Sequence, residues 1–169
     1  TPPTVSLVTA SPSTADLKAG QVVNLTLTMS EAVNVVTTGG TPSLTLNDLG
    51  TASYVSGSGT SALVFSYTVL AGQNIADLTV TAASLNGGTI TDLAGNAANL
   101  AGAVANPAGT LQIDTIAPTI VIATPIAGDN TINAGEATAG FAITGTTGGV
   151  EDSQIVTVTI VNSSNAVVD

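Results

Sequence analysis

The chain has 169 residues and a formal net charge of −10, yet only 7% of its residues are charged, so the acidity reflects missing bases and not acidic blocks. Lys18 is the single cationic side chain, which disfavours a nucleic-acid partner, because neutralising phosphates takes several Lys or Arg; an anionic membrane surface is disfavoured on the same ground. Cys and His are both absent, which removes disulfides, thiol chemistry, Cys-His zinc sites and His-based catalysis, and leaves oxygen ligands for a hard ion such as calcium.

Hydrophobic residues make up 44% of the chain, and the aromatics are limited to Tyr54, Phe65, Tyr67 and Phe141. A core must therefore be assembled from small, stiff, β-branched side chains, with Thr, Ser, Asn and Gly supplying an uncharged polar surface. The four aromatics read as core or interface packing, since their spacing forms no ligand cage. Thr1 is not followed by a cationic segment and an apolar run, and no stretch of about 18 apolar residues occurs. The expectation is a mature internal piece of a secreted or surface protein, with no direct membrane insertion.

In chain order, Val5 and Leu7, then Val23, Leu25, Leu27 and Met29, share one parity, with Asn24, Thr26 and Thr28 on the other. A period of two predicts one buried and one wet strand face. Further strands are expected at 32–36, 43–47, 51–55, 62–69 and 78–82, where Leu63, Phe65, Tyr67 and Val69 again share a face. Gly39-Gly40, Asp48-Leu49-Gly50, Gly57-Ser58-Gly59 and Ala71-Gly72-Gln73 punctuate them as turns. Short strands at this spacing favour an all-β sandwich over βαβ units. Residues 86–106 read equally as a short helix or a loop, and a strand at 110–113 closes the first domain.

Asp114-Thr115-Ile116-Ala117-Pro118 then reads as a stiff connector, because Pro118 fixes its own φ and pushes Ala117 towards an extended shape. The expected organisation is a sandwich over 1–114, a rigid linker over 115–118 and a second, incomplete unit over 119–169. An internal echo supports the division. Thr9-Ala10-Ser11-Pro12, Asp16 and Ala19-Gly20-Gln21 return as Ala123-Thr124-Pro125, Asp129 and Ala134-Gly135-Glu136, a repeat of about 110 residues. The second unit offers strands near 119–123, 137–144 and 155–161, with another starting at 166–168. So few strands leave apolar faces and edges uncovered. Either the repeat continues past Asp169, or another chain supplies the missing strands by β-augmentation.

Thr89-Ile90-Thr91-Asp92-Leu93-Ala94-Gly95-Asn96, taken with the connector, resembles bacterial immunoglobulin-like repeats of large RTX-type and biofilm-associated surface adhesins. Phe65-Ser66-Tyr67-Thr68-Val69-Leu70-Ala71-Gly72-Gln73-Asn74 followed by Asp77-Leu78 is similar to the later strands of such a repeat. The resemblance spans most of the chain. It implies immunoglobulin-like β-sandwich modules in tandem, forming a stalk whose partners are neighbouring repeats of the same parent protein, with calcium at some junctions. On the motif, Asp92, Asn96 and Asp114 match oxygen-bearing positions and would share an ion if the loop folds back onto the connector; otherwise Asp92 makes an Asx-turn and Asp114 caps a turn. Asp129 and Glu136 are further calcium candidates, although their spacing does not match an EF-hand. Asp16 reads as a solvated loop residue and Glu151-Asp152 as an exposed turn pair. Nothing identifies two facing carboxylates for glycoside hydrolysis, and Gly87-Gly88 and Gly148-Gly149 read as turns, so no enzymatic role is expected. The alternative is a self-associating filament subunit completed by a donor strand.

Overall fold

The computed structural model describes residues 1–150, 153–162 and 164–167. The chain divides into two compact units, Thr1–Ile116 and Ala117–Asp169. It is all-β in character: mostly strand, with little helix and a curled main sheet.

Unit 1 runs through β1 (Val5–Ser11), β2 (Ala15–Leu17), β3 (Val22–Val36), β4 (Ser43–Leu46), β5 (Thr51–Ser56), β6 (Thr60–Thr68), β7 (Val80–Ser84), β8 (Thr89–Thr91) and β9 (Leu111–Ile113). The main sheet has the order β1-β3-β6-β5-β4-β7, with β8 added to β3. β2 and β9 form a separate parallel pair.

The long strand β3 organises the unit. Its alternating residues Val23, Leu25, Leu27 and Met29 are all buried, as are Leu63, Phe65 and Tyr67 of β6. The ladder sets Val23 opposite Tyr67, Leu25 opposite Phe65 and Leu27 opposite Leu63, so one face of each strand closes on the core. Val8 of β1 adds to this face opposite Leu27. Leu44, Leu46, Ala52, Val80, Ile90, Leu111 and Ile113 bring the remaining strands into the same buried cluster. The Tyr54 ring meets Phe65 edge-on at 5.7 Å, a favoured aromatic geometry. Each Leu or Phe so removed from water contributes roughly 1.5–3 kcal/mol.

The expected separate strands at 22–29 and 32–36 are one continuous element. Its register against β6 shifts between Thr28 and Val33, and the outer half turns to pair with β8 through Asn34, Val35 and Val36. Such an irregularity bends a strand without ending it. Within 86–106, where helix and loop were equally expected, the chain instead makes β8, a tight turn and a short 3-10 segment at Ala101–Ala103.

In unit 2, β10 (Thr119–Ile122) pairs antiparallel with β11 (Gly145–Gly148). Two expectations fail there. The strand expected over 137–144 gives way to a helix, α1 (Ala134–Ala139). The Asn133 side chain accepts the Gly135 and Glu136 N–H groups while the Glu136 carboxylate accepts the Asn133 N–H in return, and this capping box starts a helix in an Ala-rich run. Among the described residues, 155–161 form no ladder beyond a lone bridge from Val161 to Val167, and a strand needs a paired neighbour to form. The pair Glu151-Asp152 and the last two positions of the chain lie outside the described residues. Among the described residues of unit 2 none is buried.

Stability should therefore reside in unit 1. Truncating Leu63, which is fully buried, to Ala should cost about 2–5 kcal/mol in denaturant unfolding. Ile120→Ala, at a site 54% exposed, should change the same transition by no more than about 0.5 kcal/mol.

Candidate functional site

The oxygen-rich loops of unit 1 gather at its two ends. After β8 the chain turns sharply: the Gly95 N–H donates to the Asp92 carbonyl at 3.1 Å and the Asp92 N–H to the Asn96 carbonyl at 3.0 Å. Gly95 has φ of 87°, a conformation that disfavours side chains larger than hydrogen. The buried Asp92 carboxylate accepts the Asn96 N–H on one oxygen at 2.8 Å and the Asn96 side-chain amide on the other at 2.7 Å. That amide hydrogen bond, opposed in part by burial, holds the Asp92 carboxyl below its usual range. Leu93 projects from the tip, 86% exposed. The adjoining segment meets the start of unit 1, where the Asn99 N–H donates to the Pro3 carbonyl at 2.8 Å.

Asp114 lies elsewhere. Its N–H donates to the Leu17 carbonyl at 2.9 Å, and its Oδ1 accepts from the Ile116 N–H at 2.8 Å. Next to it, the Thr115 N–H reaches Asn74 Oδ1 at 2.9 Å and the Thr115 hydroxyl donates to the Gln73 carbonyl at 3.1 Å. These groups sit beside the first residues of β3, since Gly20 and Gln21 pair with Val69. Asp92 follows Thr91, which pairs with Asn34 near the far end of β3. The structure thus brings Asp92 and Asn96 together and places Asp114 towards the opposite end of unit 1.

In unit 2, Asp129 Oδ1 accepts the Thr131 N–H at 2.8 Å, and Glu136 Oε2 accepts the Asn133 N–H at 2.9 Å. Both carboxylates fold onto their own loops. The equivalent positions of unit 1 repeat the second arrangement, with the Lys18 N–H donating to Gln21 Oε1 at 2.8 Å. Gln21 and Glu136 thus each accept the backbone N–H of the residue three positions earlier. No group of three or more His, Cys, Asp or Glu able to hold an ion occurs among the described residues. Calcium takes six to eight oxygens, so these loops offer it isolated carboxylates already committed to nearby N–H donors.

Sequence reasoning missed the most buried polar cluster. Asp48, read only as part of a turn, accepts the Gly50 N–H on Oδ1 at 2.8 Å and the Tyr67 hydroxyl on Oδ2. The Tyr67 oxygen also lies 2.6 Å from Gln73 Oε1, which accepts the Leu70 N–H at 2.6 Å. Burial first, then the Asp48 carboxylate, pushes the Tyr67 phenol far above its usual range. A tyrosine on the buried parity of a strand needs a partner for its hydroxyl, and that was the available signal. Asp77, likewise passed over, accepts the Leu111 N–H at 3.1 Å and the Asn106 amide at 2.8 Å. No side-chain N or O buried among the described residues lacks a partner.

An open apolar groove lies in unit 2, lined by Ile120, Ile122, Ile143, Val156 and Val158. It carries no charged group.

The two shifted groups set opposite pH limits. Tyr67 binds its proton more tightly when folded, so its contribution is complete below about pH 10 and is lost as pH rises towards the folded value. Asp92 has a lowered folded value, so its contribution is complete above about pH 3.9 and is lost as pH falls through that lower value. Tyr67→Phe should flatten the alkaline limb of a stability–pH profile and cost about 1–3 kcal/mol at neutral pH, because Asp48 loses its donor. Asp92→Asn should flatten the acid limb alone.

Comparison with family models, curated proteins and solved structures finds no match to this chain.

Proposed function

We propose that this chain is a structural extender segment of a bacterial cell-surface adhesin, made of immunoglobulin-like β-sandwich modules in tandem and acting without catalysis. Its partners are neighbouring repeats of the same parent protein, and its place is outside the cell or on the cell surface. One observation carries the reading: unit 1 takes in the chain at one end and releases it at the other. β1 begins where the Ser30 N–H donates to the Thr4 carbonyl at 2.8 Å, and Asp114 departs beside Leu17, next to the Gln21–Val69 pair. A module of this kind adds its own length to a chain of modules, as a spacer requires. The shared Lys18–Gln21 and Asn133–Glu136 hydrogen bonds support a repeat, and Pro118 supports a connector of limited bending.

Calcium at domain junctions belongs to the same proposal through the resemblance of Asp92, Asn96 and Asp114 to the family motif. An ion there would need oxygens beyond those any one of these loops gathers. Chelation should then lower the melting temperature and reduce the maximum dimension seen by small-angle scattering, since an ion held at 100 times its dissociation constant adds about 2.7 kcal/mol. Unchanged curves would remove calcium from the proposal and leave the spacer.

A second reading is a filament subunit completed by a donor strand. It is favoured by the exposed Ile120, Ile122, Val156 and Val158 of unit 2. Size-exclusion chromatography separates the two: a concentration-independent monomer supports the extender, and concentration-dependent polymers support the filament.

A further inference from the structure

Asn86-Gly87 is the chain's single asparagine–glycine step, and it forms the turn by which the backbone passes from β7 to β8. The Gly88 N–H donates to the Leu85 carbonyl at 2.8 Å, and Asn86 and Gly87 have φ of 50° and 90°, the pair of left-handed conformations that favours Asn-Gly in a tight turn. Both ends of the Asn86 amide are engaged. Its Nδ2 donates to the Thr41 carbonyl at 2.9 Å and to the Ser43 hydroxyl oxygen at 2.8 Å, and its Oδ1 accepts the Ser84 hydroxyl at 2.7 Å. Ser43 and Ser84 face each other across β4 and β7, so the amide seals the turn onto the start of β4. Around it the main chains touch: Gly39 lies against the Gly87 carbonyl, Gly40 against the Asn86 carbonyl and Gly88 against the Gly40 carbonyl, so closely that a Cβ on any of the three would collide.

An asparagine followed by glycine is prone to a reaction that needs no enzyme. The Gly87 nitrogen, unshielded because glycine carries no Cβ, bonds to the Asn86 side-chain carbonyl carbon. The bond from that carbon to Nδ2 breaks, ammonia leaves with the proton given up by the Gly87 N–H, and a cyclic imide remains. Water then opens the imide at either carbonyl, giving aspartate or isoaspartate, and in isoaspartate the main chain runs through the side-chain carbon and is longer by a methylene. In the folded protein the departing nitrogen is the one that donates to Thr41 and Ser43, and the carbonyl under attack is the one held by Ser84. The side chain must leave these partners before it reacts. Both products fit badly afterwards. Aspartate has no donor for the Thr41 carbonyl and sets a carboxylate against it, and the added methylene of isoaspartate has no room among glycines already in backbone contact.

We propose that Asn86 is a site of spontaneous covalent modification, locked while segments 39–43 and 84–88 stay together and open to reaction whenever they part, so that conversion accumulates with the age of the protein and loosens the turn leading into β8. The test needs nothing from the extender reading. The full chain is incubated in mildly alkaline buffer, folded and in urea, and amide-to-acid conversion is followed at each asparagine by peptide mapping in a mass spectrometer. In urea Asn86 should convert before every other asparagine. In the folded chain it should convert at least about ten-fold more slowly, since reaction then waits on local opening. Replacing Ser43→Ala and Ser84→Ala together removes two of the three side-chain partners without touching the core, and should bring the folded rate back towards the unfolded one. Asn86→Asp, which fixes one product in place, should melt at a lower temperature than the parent. Earlier conversion of another asparagine in urea would overturn the site. Equal folded and unfolded rates, or a folded rate unmoved by the two serine replacements, would overturn the lock, and an Asn86→Asp chain as stable as the parent would overturn the loosening of the turn.

Discussion

The in-register ladder between β3 and β6 is the constraint on which unit 1 depends. With few aromatics available, the core is filled by Val23, Leu25, Leu27, Leu63, Phe65 and Tyr67, all but sealed from solvent. A shift of one residue would send that whole set to the wet face, so the register is strongly specified. β1 and β8 attach to β3 and β5 attaches to β6, and the direction of β3 thereby becomes the long axis of the unit. The separation of Asp92 from Asp114 follows from that axis and from no property of the two residues themselves.

A chain with one cation cannot tie its loops with ion pairs, and amides take over the task. Asn47 bridges Asp77 and Thr79, Asn74 holds Thr115, Asn86 reaches Thr41 and Ser43, and Asn96 closes on Asp92. The neutral hydrogen bonds among these contribute about 0.5–1.5 kcal/mol each and are little screened by salt, unlike surface ion pairs; the Asn96 amide on the Asp92 carboxylate is charge-assisted and stronger. The acidic charge is left to repel like molecules while the amides fix the turns. Unit 2 has the same turn chemistry at Asp129, Asn130 and Asn133 but, among its described residues, nothing buried for those turns to enclose.

What the sequence disclosed tracks how local each feature is. The alternations at 22–29 and 62–69 were readable because burial of a strand face writes a period of two directly into the chain. The Asp92–Asn96 turn was readable as a short-range motif. The strand expected over 137–144 by analogy with the first unit begins inside the helix Ala134–Ala139, although Asn133 and Glu136 form a capping signal at the right spacing. Residues 155–161 alternate convincingly, yet a strand exists only with a partner, and periodicity does not report whether one is present. The Asp48–Tyr67 contact depends on how the β5–β6 hairpin returns, and the distance between Asp92 and Asp114 depends on the whole topology; neither is a property of a local segment.

The proposed spacer role requires that unit 1 hold its two termini at opposite ends. Spin labels at Thr1 and Ile116, read by double electron–electron resonance, address it directly. A narrow distribution centred on the order of 30 Å or more is expected, from the extended stretch between Gln21, just before β3, and Ser30 at roughly 3.3 Å per residue. A short distance, or a broad one at native pH, would contradict the account.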